Sequence, residues 1–158
     1  MNELLEYIPE NKSVEVIQEN EELFTIKHPE TTFHHIVTNR GEGKIQYTLQ
    51  DLARMGLLFD LDYFIIGEIK GGEALYFLNA AFTGHQCWAS VHGVSSTEAI
   101  DKLADYVKYE SDYSKTDIIR MLRTMEVVVF MENFKVKEIS EVVGFDEATQ
   151  RLIYKRIL

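Results

Sequence analysis

Hydrophobic and polar positions alternate along the chain in two rhythms. From Thr48 to about Phe59, Leu49, Leu52, Ala53, Leu57 and Leu58 recur close to every 3.6 residues, which predicts an amphipathic helix. The same rhythm predicts a helix opening at Gly71-Gly72 and running to about Phe82, with Ala74, Leu75, Leu78, Ala81 and Phe82 as its buried stripe. A third follows Ser95-Ser96-Thr97-Glu98, where Ser95 and Glu98 have the spacing of a reciprocal cap, and carries Ala99, Ile100, Leu103, Ala104 and Val107 on one side. Ser114-Lys115-Thr116-Asp117 starts another. Residues 2 to about 7 read as a short helix with Leu4, Leu5 and Ile8 on one face, halted by Pro9.

Between these lie short continuous apolar runs. Val14, Val16 and Ile17 predict a strand that exits into the acidic loop Gln18-Glu19-Asn20-Glu21-Glu22. Phe33 to Val37 predicts a second strand, followed by a polar turn with two glycines over Asn39-Arg40-Gly41-Glu42-Gly43-Lys44. Tyr63-Phe64-Ile65-Ile66-Gly67-Glu68 is apolar throughout before its terminal acid, as expected of a strand buried on both faces. Cys87 to Val91 predicts a further strand, and Glu126 to Met131 with Phe134 to Val143 a hairpin turning at Glu132-Asn133. Strands that are apolar rather than alternating, interleaved with helices, predict an α/β fold with a mostly parallel sheet flanked by helices. Ligands on such sheets bind at the carboxyl ends of the strands, where Glu22, Glu68 and His92 are expected.

Composition narrows the function classes. The 158 residues, 46% hydrophobic, suffice for one sizeable core. Sixteen basic residues against 26 acidic, a net charge of −10, argue against a nucleic-acid partner or an anionic membrane surface. Every apolar run is far shorter than the roughly 20 residues a membrane span requires, so no direct insertion is expected. The N-terminus does not read as a secretory signal, and a lone Cys87 fits a reducing cytoplasm.

The run Phe64-Ile65-Ile66-Gly67-Glu68-Ile69-Lys70-Gly71-Gly72-Glu73-Ala74, followed by Thr83-Gly84-His85 and Ser90-Val91-His92, closely resembles the Walker B and His-box segments of the type II/IV secretion and pilus-assembly ATPase family. Ile8-Pro9-Glu10 and the stretch to Glu22-Leu23 resemble the segment after the phosphate-loop helix and the family's acidic box. Val136 to Phe145 is similar to the late hairpin of the pilus and conjugation subgroup. The resemblance implies a partial RecA-like nucleotide-binding core over residues 1–158, the C-terminal part of the ATPase domain. It implies ATP and Mg2+ as ligands, Glu22 polarising the attacking water, and Glu68 orienting the metal through water. His85 and His92 resemble paired residues that sense the γ-phosphate, and Arg40 and Arg54 stand where the family has arginines reaching the nucleotide. Carboxylates and fixed cations are the residue types that phosphoryl transfer requires. Leu58 and Asp60 stand where the subgroup has further arginines, Lys70 replaces an arginine, and Gln18 replaces an acid. A zinc site of His85, Cys87 and His92, with His34 or His35, is the competing reading; no paired cysteines at finger spacing accompany it.

A phosphate loop needs Gly-x4-Gly-Lys-Ser/Thr between a strand and a helix. The sequence has none: in Gly41-Glu42-Gly43-Lys44-Ile45, Thr38 stands for the first glycine and Ile45 for the hydroxyl residue. By the resemblance, Met1 falls within the helix that such a loop would start. The expectation is a sheet lacking a central strand, with unpaired backbone edges, and a chain that does not hydrolyse ATP by itself. Its implied partners are copies of itself in a hexamer or a chain bearing the phosphate loop, and a platform protein of the inner membrane. Its implied location is the cytoplasm, peripheral at the inner face of the bacterial membrane. The alternative is a non-catalytic assembly module of the same fold.

Overall fold

The computed structural model describes residues 1–37 and 46–158, arranged as two compact units, Met1–Ser90 and Val91–Leu158. The glycine-containing turn expected over 39–44 lies outside the described residues.

The first unit is built on a four-stranded, wholly parallel sheet of β1 (Val14–Gln18), β2 (Thr31–His35), β3 (Tyr63–Ile66) and β4 (Gln86–Ala89), in the order β2-β1-β3-β4. Both inner strands are buried from end to end or nearly so, β1 throughout and β3 from Phe64 onward, as expected of strands covered on both faces. On one face, α1 (Asn2–Leu5) and the turn after it lay Leu5 and Ile8 against Val14, Val16 and Ile65. Tyr63 and Trp88 close this cluster with an edge-to-face contact, centroids 5.5 Å apart. On the other face α2 (Leu49–Gly56) approaches Glu15 and Phe64 so closely that a Cβ on Gly56 would lie 2.3 Å from Glu15 Oε2 and 2.6 Å from the Phe64 ring. Only glycine permits that approach. α3 (Glu73–Phe82) lies beside α2.

Helix starts follow the side-chain chemistry. Thr48 Oγ1 accepts from Asp51 N at 3.1 Å while Asp51 Oδ2 accepts from Thr48 N at 2.9 Å, a complete reciprocal cap on α2. Ser95 Oγ accepts from Glu98 N at 3.1 Å, the first half of the pair expected there.

The second unit packs α4 (Ser96–Tyr109) and α5 (Lys115–Met121) with an antiparallel sheet of β5 (Val127–Glu132), β6 (Lys135–Asp146) and β7 (Arg151–Arg156). The expected hairpin is present, but its turn falls one residue later, at Asn133-Phe134, both with positive φ (52° and 58°). β7 extends it to three strands. Ile100, Leu103, Val107, Ile118, Leu122 and Leu152 form the core of this unit, and Ser96 and Ser140 both donate to Glu138 Oε1, at 2.6 and 2.8 Å. Those two bonds hold the Glu138 carboxyl below the usual carboxylate range. No helix of the described residues is long and apolar enough to cross a membrane.

Candidate functional site

The carboxyl ends of β1 and β3 adjoin, because Ile17 pairs with Ile66 and Gly67 N donates to Ile17 O at 2.8 Å. Glu68 therefore leaves the sheet directly beside the start of the acidic loop. Its backbone is fixed on both sides: Ser90 Oγ donates to Gly67 O at 2.6 Å, and Ile69 N donates to Ser90 O at 2.8 Å. Ile66 and Ile69 are buried, whereas the Glu68 side chain keeps 30% of its surface. The acid is partly exposed and does not lie in the core.

Gln18, 4% exposed, organises the loop that carries Glu22. Its Oε1 accepts from Glu22 N at 3.0 Å and Leu23 N at 2.8 Å, and its Nε2 donates to Leu23 O at 3.1 Å. An amide both accepts and donates, which a carboxylate at this position would not do when ionised. The close approach of Gln18 Cβ to Gly67, 3.2 Å from where a Cβ would stand, couples this loop to the end of β3. Asn2 secures the far side, its Nδ2 donating to Glu22 O at 3.1 Å and its Oδ1 accepting from Phe24 N at 3.2 Å. The Glu22 side chain is exposed.

Lys70 joins the two strand ends. Its ammonium contacts Glu19 Oε2 and lies 3.2 Å from Glu68 Oε2. The hydrogen bond to Glu19, then that to Glu68, raise the Lys70 pKa. Behind it Glu73, 5% exposed at the first position of α3, accepts from Lys70 N and from Gly71 N (2.9 Å). A carboxylate is well placed at a helix N-terminus. Glu19, Lys70, Gly71 and Glu73 line a cleft of about 300 Å³ together with Tyr47 and Thr48.

The remaining residues singled out in the sequence lie elsewhere. Arg54 is exposed in the last turn of α2, and Arg40 is outside the described residues. His85 precedes β4, at the opposite end of the parallel sheet from Glu68. There its Nδ1 lies 3.2 Å from both Thr83 Oγ1 and Ala80 O, at the end of α3, so His85 does not join the acids. His92 belongs to the second unit, where its carbonyl accepts from Lys102 Nζ at 3.1 Å. Burial pushes the Cys87 thiol of the zinc reading up to about 12. Among the described residues, no three His, Cys, Asp or Glu side chains gather to hold a metal.

The Lys70 ammonium competes with any cation held directly by the acids beside it, whereas the magnesium contact that the resemblance implies for Glu68 runs through water. Glu68 already faces an ammonium shared with Glu19, and Mg2+ demands close oxygen ligands in octahedral array. The sequence supplies no phosphate cradle.

Residues 10–153 match the family described as type II/IV secretion system protein. Two uncharacterized proteins of Methanocaldococcus jannaschii are similar. MJ0900 is 30% identical over 104 residues, 65% of this chain and 18% of that protein; MJ1287 is 35% identical over 68 residues, 42% and 25%. The fold resembles the VirB11 ATPase of the Brucella suis type IV secretion system, solved with sulphate, at a TM-score of 0.74 and 23% identity, covering 89% of this chain and 43% of that one. It also resembles the pilus retraction motor PilT with bound ADP (TM-score 0.58, 18% identity, 92% and 43%) and the Legionella pneumophila ATPase DotB (0.58, 15%, 92% and 36%). The chain thus spans less than half the length of each of these proteins.

Proposed function

This chain belongs to the type II/IV secretion system protein family, and we propose that it is part of the C-terminal catalytic region of a hexameric motor serving type II or IV secretion, conjugation or pilus assembly. Glu68 and Glu22 are the paired carboxylates of the nucleotide crevice on this reading. Arg54, Arg40 and His92 keep on this reading the roles that the resemblance implies, nucleotide-reaching cations and a γ-phosphate sensor, and ATP with Mg2+ is the ligand of the assembled machine. The supporting observation is the junction of β1 and β3, where a buried parallel strand brings Glu68 out beside the loop of Glu22. The 158 residues by themselves do not hydrolyse ATP, because backbone N–H groups of a phosphate loop provide the main anion site and the sequence contains no such loop. The protein works at the cytoplasmic face of the inner membrane, with a platform protein and either its own copies or a phosphate-loop-bearing chain as partners.

Nucleotide titration and phosphate release, each with Mg2+, test this. The chain alone should show neither binding nor turnover, and a co-encoded chain bearing Gly-x4-Gly-Lys-Ser/Thr should restore both. Turnover by the isolated chain would overturn the proposal. One observation favours a second reading, a non-catalytic assembly module: Lys70 holds the Glu68 carboxylate. That reading requires a chain that joins the hexamer yet gains no turnover from any phosphate-loop partner.

A further inference from the structure

We propose that the outward face of the β5-β6-β7 sheet, tipped by Phe134, is a contact surface for a second copy of this chain, the two sheets packing face to face about a two-fold axis near Ile139. Such a contact closes at two copies, so the inference goes beyond the ring of the functional reading and needs no nucleotide.

The sheet has apolar side chains on both faces, and α4 and α5 cover one of them. Ser140 and Leu152 are buried and Glu138 meets Ser96 of α4, so these residues mark the covered face. Residues opposite each other on paired antiparallel strands share a face. The register therefore gathers Val129 with Ile139, Met131 with Val136, and Ile153 with Gly144 on the other side. There Val127, Val129, Met131, Val136, Ile153 and Ile157 each keep between 43% and 60% of their surface. Together they make a patch on the order of 500 Å², and two such patches would remove about 1,000 Å² from water, the size at which a biological contact begins.

The turn is an independent sign. Glu132 pairs with Lys135, leaving Asn133 and Phe134 as a two-residue loop with positive φ at both positions, the second of which favours glycine. Phe134 holds φ at 58° while its side chain is 100% exposed. A bulky residue costs free energy in that conformation, and packing within the chain does not offset it. An aromatic side chain held out at a tip is the residue type that anchors interfaces.

Symmetry and charge select a second copy as the occupant. Ile139 lies midway along β6 between Phe134 and Gly144. A two-fold axis through it, lying between the sheets and across the strands, runs β6 antiparallel over its copy. Phe134 of each copy then approaches Gly144 of the other, where no side chain stands beside Ile153. Lys137 and Glu141 are brought together in the same way. From Val127 onward Lys135, Lys137, Arg151, Lys155 and Arg156 balance Glu132, Glu138, Glu141, Asp146 and Glu147, so the net charge of −10 is carried by the rest of the chain. The sheet is where two copies of an acidic chain meet without adding like charge.

Sedimentation equilibrium of the full chain tests this. The mass should rise with concentration from the 18.3 kDa of one chain to twice that and stop there. Phe134→Gly should weaken association roughly tenfold or more. Its melting midpoint, followed by far-UV circular dichroism at a dilution where both forms are monomeric, should not fall, because glycine accepts the positive φ. A residue serving only the hairpin would give the reverse, unchanged association and a lower midpoint, and that result overturns the proposal. The pair Val129→Thr with Ile153→Thr keeps β-branched side chains in the strands and should also weaken association, whereas Ile26→Thr, at a 92% exposed position of the first unit, should not. A single-chain mass at every concentration overturns the proposal and leaves the face to another occupant, such as the phosphate-loop-bearing chain. Growth beyond two copies, or a dimer equally tight in Phe134→Gly and in the threonine pair, overturns it too. ATP turnover by the isolated chain would sink the functional reading above while leaving this result standing.

Discussion

Replacing Glu15 by glutamine should stabilise the first unit, and more so as pH rises. Glu15 is the second residue of β1, 2% exposed, between Phe64 on the neighbouring strand and Gly56 of the overlying helix. Its Oε1 faces His34 Nε2 at 3.4 Å, and its Oε2 has no hydrogen-bond partner. Burial pushes its pKa up to about 7. A carboxyl moved there from an ordinary value near 4.5 disfavours the ionised folded state by about 3 kcal/mol. The folded state binds its proton more tightly than the unfolded chain. The penalty is therefore absent below about pH 4.5, grows as pH rises toward 7, and is complete above it. Glutamine carries no charge to desolvate, so the difference between variant and parent should be small near pH 5 and approach about 3 kcal/mol near pH 8.5. At a urea slope of about 2 kcal/mol per molar, that moves the midpoint by on the order of 1.5 M. Trp88, the chain's one tryptophan, packs against Tyr63 in the same sheet, so its fluorescence reports this unit's unfolding. A Glu15→Gln gain that is equal at both pH values, or a loss at high pH, would refute the desolvation argument.

Gly56→Ala should cost about 1–3 kcal/mol by the same denaturation assay, since its Cβ would meet Glu15 and Phe64 well inside contact distance. Gln18→Leu should leave the Glu22 and Leu23 amides without their acceptor, at about 1–3 kcal/mol, and hydrogen exchange at those two amides should accelerate. Thr48→Ala, which removes half of the reciprocal cap on α2, should cost about 1 kcal/mol by thermal unfolding. Cys87, its thiol held up to about 12 by burial, should resist alkylation near pH 8 in the folded chain and react readily once urea unfolds it.

The strands and helices that bury one strong apolar pattern were legible in the sequence. β3, α2, α3 and α4 stand where periodicity placed them, and the acid at the end of β3 is partly exposed as its position suggested. β7 was missed. In Arg151–Arg156 only Leu152 is buried, with Tyr154 partly so, and that weak alternation gains meaning only when β6 is there to pair with it. Glu15 read as an ordinary residue of a short strand, because one acid among valines gives no sign that a helix will lie over it. Gln18 was visible as a departure from the family's acid, but its three hydrogen bonds depend on how the loop folds back. His85 was singled out by the resemblance as paired with His92, and the direction of β4 puts it at the amino end of that strand, away from Glu68, which sequence order does not reveal. Of the site, residue types were readable, while partners such as Lys70 with Glu68 required coordinates.

The meeting of Gly56 with Glu15 makes these two positions interdependent over evolutionary time. A lineage that acquires any side chain at 56 must make room at both 15 and 64 or lift the helix off the sheet. Shortening position 15 alone leaves the Phe64 ring in the way, so the bare position is expected to outlast the acid.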